Sequence, residues 1–479
     1  MHRRVGFWLG LFLHVAMLAA PAPEALSLPA WHTAAIAVLM AVWWVTEALP
    51  ISATALVPLV LLPLYGVSGI REAAAPYANP VIILMLGGFL IALAMQRWNL
   101  HRRIAFNVLA RFGKRPDHMV LGFMVATGFM SMWVLNTATA LMMLPVALSV
   151  ADVLAPKDSD DPDSRNFALA LLLSVAYAAS IGGVGTLVGT APNALVAAFM
   201  LENYNVDIGF ADWLVFGLPF VIVMLPLGWW VLTRWAYPFS LREDGRAAEV
   251  VVNELRKLGP FSVPEKRVAI VFTIVAVLWL IRKPLQAAFD GFGPVAGLTD
   301  ASIGIGGALC LFILSAGAGK RERLLDGAAL RRVPWDVLVL FGGGISLAVA
   351  IASTGLSEWI GLTLSALAGW PLLTLIFALV VIVVFLTELT SNTATTATFL
   401  PVLAAIASMA AYDNLYLLVP AAISASCAFM LPVATPPNAI VFASGRIHIP
   451  EMIRAGVRMN LVAIPVIALL SYLLVPLLL

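Results

Sequence analysis

Eleven stretches of this chain are apolar for long enough, or nearly so, to cross a bilayer as one helix: 5–22, 31–49, 51–66, 80–96, 167–201, 212–235, 267–285, 299–317, 334–352, 415–443 and 455–478. A hydrocarbon core about 30 Å thick takes roughly 20 residues as a helix. Inside it the backbone has no water to bond, so only helices, or irregular segments sheltered by other helices, are stable. Two more apolar stretches, 117–153 and 371–410, are each broken in the middle by a polar cluster. They read as hairpins that enter the membrane and return to the same side. Hydrophobic residues make up 62% of the chain and charged residues 11%, against about a quarter charged in a soluble domain. The expected fold class is an all-α polytopic membrane protein of about eleven transmembrane helices plus two re-entrant helical hairpins.

Charge placement tests that count. Of the 28 Lys and Arg residues, all but Arg71, Arg282 and Lys283 fall on one side when both hairpins are re-entrant. Cytoplasmic loops carry such a bias. Reading either hairpin as a single span would flip every later segment and destroy it. The chain is thus expected in the inner membrane, with its N-terminus cytoplasmic and its C-terminus periplasmic or extracellular. Met1–Pro23 has the layout of a signal peptide, but a chain this apolar needs no cleaved leader, and 5–22 is expected as a retained span. Cys310 and Cys427, far apart in apolar runs, are expected as buried thiols. The histidines lack ligand spacing, and no phosphate loop occurs. No His, Cys, Asp or Glu cluster at depth could serve an enzyme, and nothing points to nucleic acid.

An internal repeat orders the spans. Leu135-Asn-Thr-Ala-Thr-Ala-Leu-Met-Met-Leu-Pro-Val146 matches Ser391-Asn-Thr-Ala-Thr-Thr-Ala-Thr-Phe-Leu-Pro-Val402. The same register maps Gly87-Gly88 onto Gly343-Gly344 and Leu100 onto Leu356. Each copy, 31–235 and 267–478, holds five spans and one hairpin. An odd number of spans inserts the second copy upside down. Inverted repeats with broken helices meeting at the midplane are the architecture of secondary transporters. A second pair of breaks, Gly182–Asn193 and Leu431–Asn438, aligns Gly189, Thr190, Pro192 and Asn193 with Ala434, Thr435, Pro437 and Asn438. The longest hydrophilic stretch, 236–266, is too short for a nucleotide-driven motor domain.

The chemistry of these breaks suits a small anion held with cations. Each tip begins a half-helix whose free amides carry about half a positive charge. Ser, Thr and Asn add neutral donors, and no Lys or Arg lies in the four segments. A dianion in a dry site would need compensation from bound cations. Freed carbonyls, hydroxyls and amide oxygens are hard donors suited to Na⁺. Two cation sites follow by symmetry: one around Ser131, Asn136 and Gly189, the other around Thr387, Thr390, Asn392 and Ala434. Main-chain carbonyls act at Gly189 and Ala434. Glu388 reads as a helix-terminal carboxylate satisfied by backbone amides, with a proton carrier as the competing reading. Glu47 and Asp336 read as interfacial or capping residues. Charged amphipathic stretches at 97–115, 240–263 and 354–368 read as helices lying in the headgroup layer.

At this point the motifs resemble the divalent anion:sodium symporter family, the sodium:sulfate or sodium:dicarboxylate symporters. The likeness is carried by Trp44–Pro50, Gly87–Asn99 with His101-Arg102-Arg103, the two Asn-Thr tips, Trp335–Gly344 and Ser426–Gly445. It implies a homodimer in which a transport domain moves like an elevator against a scaffold. The scaffold is then 1–96 and 267–352, and the transport domain is 116–235 and 370–479. The arms are 97–115, 236–266 and 353–369. It also implies that Asn136, Thr137, Ser391, Asn392, Thr393, Thr435 and Pro436 contact substrate carboxylates, with Thr190 as the repeat counterpart of Thr435. The motif form looks closest to bacterial C4-dicarboxylate carriers, which take up succinate, fumarate or malate with Na⁺; citrate and sulfate would use the same donors. One position departs: the family's first tip reads Ser-Asn-Thr, and here it is Leu135-Asn136-Thr137. That removes a hydroxyl near the first cation site and leaves Leu135 only its backbone carbonyl to offer there, which makes a dicarboxylate exchanger the alternative.

Overall fold

The computed structural model describes residues 2–112, 115–156, 161–241, 245–289, 292–317, 322–364 and 369–477. Lys114, Lys157, Arg242, Lys320 and Arg321, assigned above to the cytoplasmic face, and 365–368 of the third arm lie outside these residues. Among the described residues the protein is helical, with one isolated bridge between Ser315 and Arg323.

The chain begins with α1 (His2–Ala19), α2 (Leu28–Val45), α3 (Ile51–Thr54), α4 (Val57–Leu64), α5 (Ile70–Ala74) and α6 (Pro80–Arg97). The first arm, α7 (Leu100–Leu109), leads into hairpin α8 (Pro116–Ser131) and α9 (Asn136–Leu154). Then come α10 (Pro162–Gly183), α11 (Ala191–Tyr204) and α12 (Phe210–Trp230), which ends in a π-helical turn over Val231–Ala236. The second arm is α13 (Gly245–Lys257). It is followed by α14 (Val263–Ala288), α15 (Gly293–Ala296), α16 (Asp300–Ile313), α17 (Gly327–Arg331), α18 (Trp335–Ser353) and α19 (Leu356–Thr363). The second hairpin is α20 (Leu372–Thr387) and α21 (Asn392–Met409), and the chain closes with α22 (Leu415–Ala425), α23 (Pro436–Phe442) and α24 (Ile449–Leu474).

Local chemistry sets many of these starts. Ser27, Asn79, Asp161 and Ser262 cap the amides of Ala30, Val81, Ser164 and Glu265, with proline in the first turn each time. Proline there loses no intrahelical bond. Among the described residues, eight helices are by themselves long and apolar enough to cross a membrane. The other expected spans are present but altered. The stretch 51–66 is split into α3 and α4, and Pro58 in the first turn of α4 has no amide to continue the ladder. The stretch 299–317 is helical only through Ile313, 415–443 is divided between α22 and α23, and α1 carries Arg3 and Arg4 in its first turn. That helix packs along α2, with Phe7 stacked on Trp43 at 5.3 Å and His14 bonded to Ala35 O and Tyr65 Oη.

The core sits around α10, whose apolar window is 94% buried, against 28% for α14. Helix α14 turns Ile270, Ile274, Val277 and Ile281 outward, as a lipid-facing helix does. The matched glycines serve close contacts. A Cβ on Gly87 would come within 2.5 Å of the Gly304 backbone in α16, and one on Gly343 within 2.2 Å of Ala55 O. Cys427 is buried as expected, but Cys310 is exposed: on α16 it shares the outward face with Leu309 and Ile313. An apolar run in a membrane protein need not be a core, because lipid accepts the same side chains.

Ion pairs sort the loops into two sets. One set joins Arg97 to Glu322 and Asp326, Arg103 to Glu265, Arg165 to Glu451, Arg234 to Asp117 and Arg446 to Asp152. The other joins Arg282 to Asp207 and Asp300, and Lys283 to Asp212. No pair crosses between the sets among the described residues. This is the grouping that re-entrant hairpins require.

Candidate functional site

Both hairpins reverse within a few residues, 132–135 and 388–391. The pivots are extended: φ −48°, ψ 135° at Leu135 and φ −66°, ψ 129° at Ser391. The second pair of breaks also matches, with φ −145°, ψ 148° at Thr190 and φ −140°, ψ 150° at Thr435. Helices α9, α11 and α21 therefore begin at equivalent pivots and turn their N-termini to one space. Their first-turn amides have no intrahelical acceptor.

That space is a cavity of about 1070 Å³. All eight residues expected at the substrate line it: Asn136, Thr137, Thr190, Ser391, Asn392, Thr393, Thr435 and Pro436. Leu135, Gly189, Thr390 and Ala434 line it too, while Met85, Phe89 and Leu340 form apolar wall. Among the described residues the lining has no Lys, Arg or His, and its only charged residues are Glu47 and Asp336, at the ends of α2 and α18. The hydroxyls of Thr137, Thr190, Ser391 and Thr393 have no hydrogen-bond partner among the described residues. Thr435 differs, accepting from Asn438 N at 3.3 Å as a helix cap.

Beneath each tip lies an oxygen cluster. Ser131 Oγ donates to Asn136 Oδ1 at 2.6 Å and contacts Ala179 O at 2.7 Å. Asn136 Oδ1 is also 3.2 Å from Ala179 O and 3.3 Å from Gly189 O. Turning the amide so that Nδ2 donates to Ser131 Oγ, Ala179 O and Gly189 O satisfies all three contacts. The hydroxyl and the two carbonyls are also hard donors of the kind that suit Na⁺. In the second copy Thr387 Oγ1 bonds Asn392 Oδ1 and Ala425 O, each at 2.8 Å. Ser131 and Thr387 are fully buried, so they sit behind the cavity wall rather than in it. The Thr390 hydroxyl turns elsewhere, to Leu386 O and Thr395 Oγ1. Leu135 lends no side-chain oxygen to the first cluster.

The breaks are held open by side chains. Asn193 Nδ2 donates to the carbonyls of Gly183, Val184 and Thr186, and Asn438 Nδ2 to those of Ala428 and Leu431. Glu388 accepts from the amides of Phe429, Met430 and Leu431 and from Asn460 Nδ2. It is the amide-satisfied carboxylate that its position suggested. It also corrects the second break, which begins at Ser426 rather than Leu431, because Glu388 takes amides that a helix would use. Sequence reasoning missed Ala179, Ala425 and Asn460. The first two act through carbonyls and leave no side-chain signature. Asn460, a lone amide in an apolar span, was a visible signal.

The family pattern described as the sodium:sulfate symporter transmembrane region matches residues 2–479. A protein named sodium-dependent dicarboxylate transporter SdcS from Staphylococcus saprophyticus is 40% identical over 476 residues, covering 98% of this chain and 91% of that protein. Its namesake in Staphylococcus aureus strain USA300 is 38% identical over 479 residues, covering 99% and 92%. Among solved structures, the YdaH transporter of Alcanivorax borkumensis aligns at TM-score 0.59 and 14% identity over 91% of this chain and 98% of that one. MtrF of Neisseria gonorrhoeae aligns at 0.58 and 14% over 99% and 98%. At such identity the likeness is one of fold alone.

Proposed function

Because the chain belongs to the sodium:sulfate symporter family, we propose that it is a secondary active transporter that brings C4-dicarboxylates such as succinate, fumarate and malate into the cell with Na⁺. The observation that carries this reading is the set of free hydroxyls at Thr137, Thr190, Ser391 and Thr393, facing one cavity without a basic side chain. One carboxylate is gripped at the Asn136 tip and the other at the Asn392 tip. Helix N-termini contribute partial positive charge at both. Na⁺ at the two oxygen clusters supplies the remaining compensation and holds each tip in its binding shape. Coupling follows: without Na⁺ the tips lack the charge that a desolvated dianion needs.

The residues 116–235 and 370–479 act as the transport domain, 1–96 and 267–352 as the scaffold, in a homodimer. The cavity wall is shared between these parts, tips on one side and Met85, Phe89 and Leu340 on the other. An elevator stroke along that wall would change the side to which the cavity opens. The lining reaches Glu47 and Asp336, on the basic face, and includes none of 66–79, 205–209 or 354–371. This favours an inward-open posture, with the N-terminus cytoplasmic. The intact donor set at Asn136 favours symport over exchange despite Leu135.

Proteoliposomes given labelled succinate provide the test. Uptake should require an inward Na⁺ gradient and be competed by fumarate and malate. Uptake indifferent to Na⁺ but dependent on internal dicarboxylate would establish an exchanger instead. Preference for citrate or sulfate would change the cargo.

A further inference from the structure

The end of α12 and the start of α24 present a patch that the transport site does not use. Arg454 lies over the ring of Tyr237 at 5.8 Å, and Arg458 over that of Trp235 at 5.6 Å. The neighbouring acids are engaged: Glu451 with Arg165, Asp117 with Arg234, and Asp163 with the amide of Ser240. Arg454 and Arg458 have no carboxylate partner among the described residues; Arg458 donates to the Arg454 carbonyl at 2.8 Å. The patch therefore holds two surplus positive charges. Trp230 and Trp235, 6.2 Å apart, are 48% and 41% exposed beside them.

We propose that this patch binds the headgroup of an anionic phospholipid. Ring stacking covers the flat face of a guanidinium and leaves its N–H edge free, the edge that pairs with phosphate. Tryptophan belongs at headgroup depth, where it lies against glycerol and the upper acyl chain. Trp235 lies in the π-helical turn over Val231–Ala236, and Tyr237 follows it. The site rests on the membrane placement of the chain, not on the identity of the transported anion.

The test is native mass spectrometry of the full-length protein titrated with phosphatidylglycerol or with phosphatidylcholine of matched chains. Phosphatidylglycerol should be retained preferentially. R454Q/R458Q should weaken that retention about tenfold or more, since each basic residue near an anionic surface contributes about 1 kcal/mol. R256Q/K257Q, an exposed basic pair on the second arm, should not. Equal retention of the two lipids by the unsubstituted protein overturns the proposal, as does an equal effect of the two double variants. Complete displacement by millimolar inorganic phosphate also overturns it, showing a free-anion site. If R454Q/R458Q does not fold, the two-lipid comparison decides alone.

Discussion

At the scale of single residues, the second tip hangs on Asn392, whose amide joins Thr387 to the cavity wall. Asn392→Ala should abolish dicarboxylate uptake and leave the thermal midpoint nearly unchanged, because the Thr387 hydroxyl keeps its bond to Ala425 O. Parallel uptake and melting measurements check both halves. Gly183 is a sharper probe of the first cluster. A Cβ there would meet Asn136 Oδ1 at 2.6 Å. Overpacking costs about 1–3 kcal/mol, so Gly183→Ala should raise the Na⁺ concentration for half-maximal uptake roughly 5- to 150-fold. The copies also differ: Thr395 bonds Thr390, whereas the buried Thr139 hydroxyl has no partner. Val134 stands where a second threonine would be. Thr139→Val should be neutral or stabilising by up to about 1 kcal/mol, read as a thermal shift. The asparagines were legible in the sequence because an amide at the start of an apolar helix is costly unless used. Leu135 was legible as a departure from the paired tip; the oxygens near Asn136 that its missing hydroxyl leaves, Ser131 Oγ and the carbonyls of Ala179 and Gly189, were not.

At the scale of elements, the stability of the broken helices depends on few side chains. Glu388 bonds three amides of the segment 426–435. Glu388→Ala leaves them without a partner, at about 1–3 kcal/mol for each buried group. It should lower the melting temperature and abolish uptake, whereas an exposed acid such as Glu322 should tolerate alanine. The first arm carries a pH response. Burial holds His101 at a pKa of about 4, with Nδ1 against Met95 O. Its ordinary value is about 6.5. A depressed histidine is neutral in the folded state, so it adds stability above pH 6.5 that is lost as pH falls toward 4. Melting temperature should therefore fall with acidification across that window, and His101→Gln should flatten the slope. Hairpin ends were readable to within a residue or two, since proline and the polar tips mark them. The start of the second break was not, because a carboxylate from another helix sets it.

For the whole molecule, a buried ion cluster holds α14 and α16 against α12 in the posture seen here. Arg282 and Asp300, each 7% exposed, pair with one another; Asp207 adds a second carboxylate and Asp300 accepts from Phe210 N. Removing one partner of a buried pair costs about 3–5 kcal/mol through the charge left behind. Arg282→Met should thus melt well below the parent, and Arg282→Met with Asp300→Asn should recover part of the loss. Sequence alone determined the span periodicity, the sidedness of the charges and the duplication, because hydropathy, lysine and arginine placement and internal similarity are written residue by residue. It also picked out the polar residues that line the shared cavity, since unpaired polar groups at membrane depth are expensive wherever the chain goes. Only the tertiary structure decided which face of each apolar helix meets lipid, where the second break starts, and which carbonyls complete the oxygen clusters. Those depend on atoms brought together from distant segments. A main-chain oxygen is the same in every residue until packing gives it a neighbour.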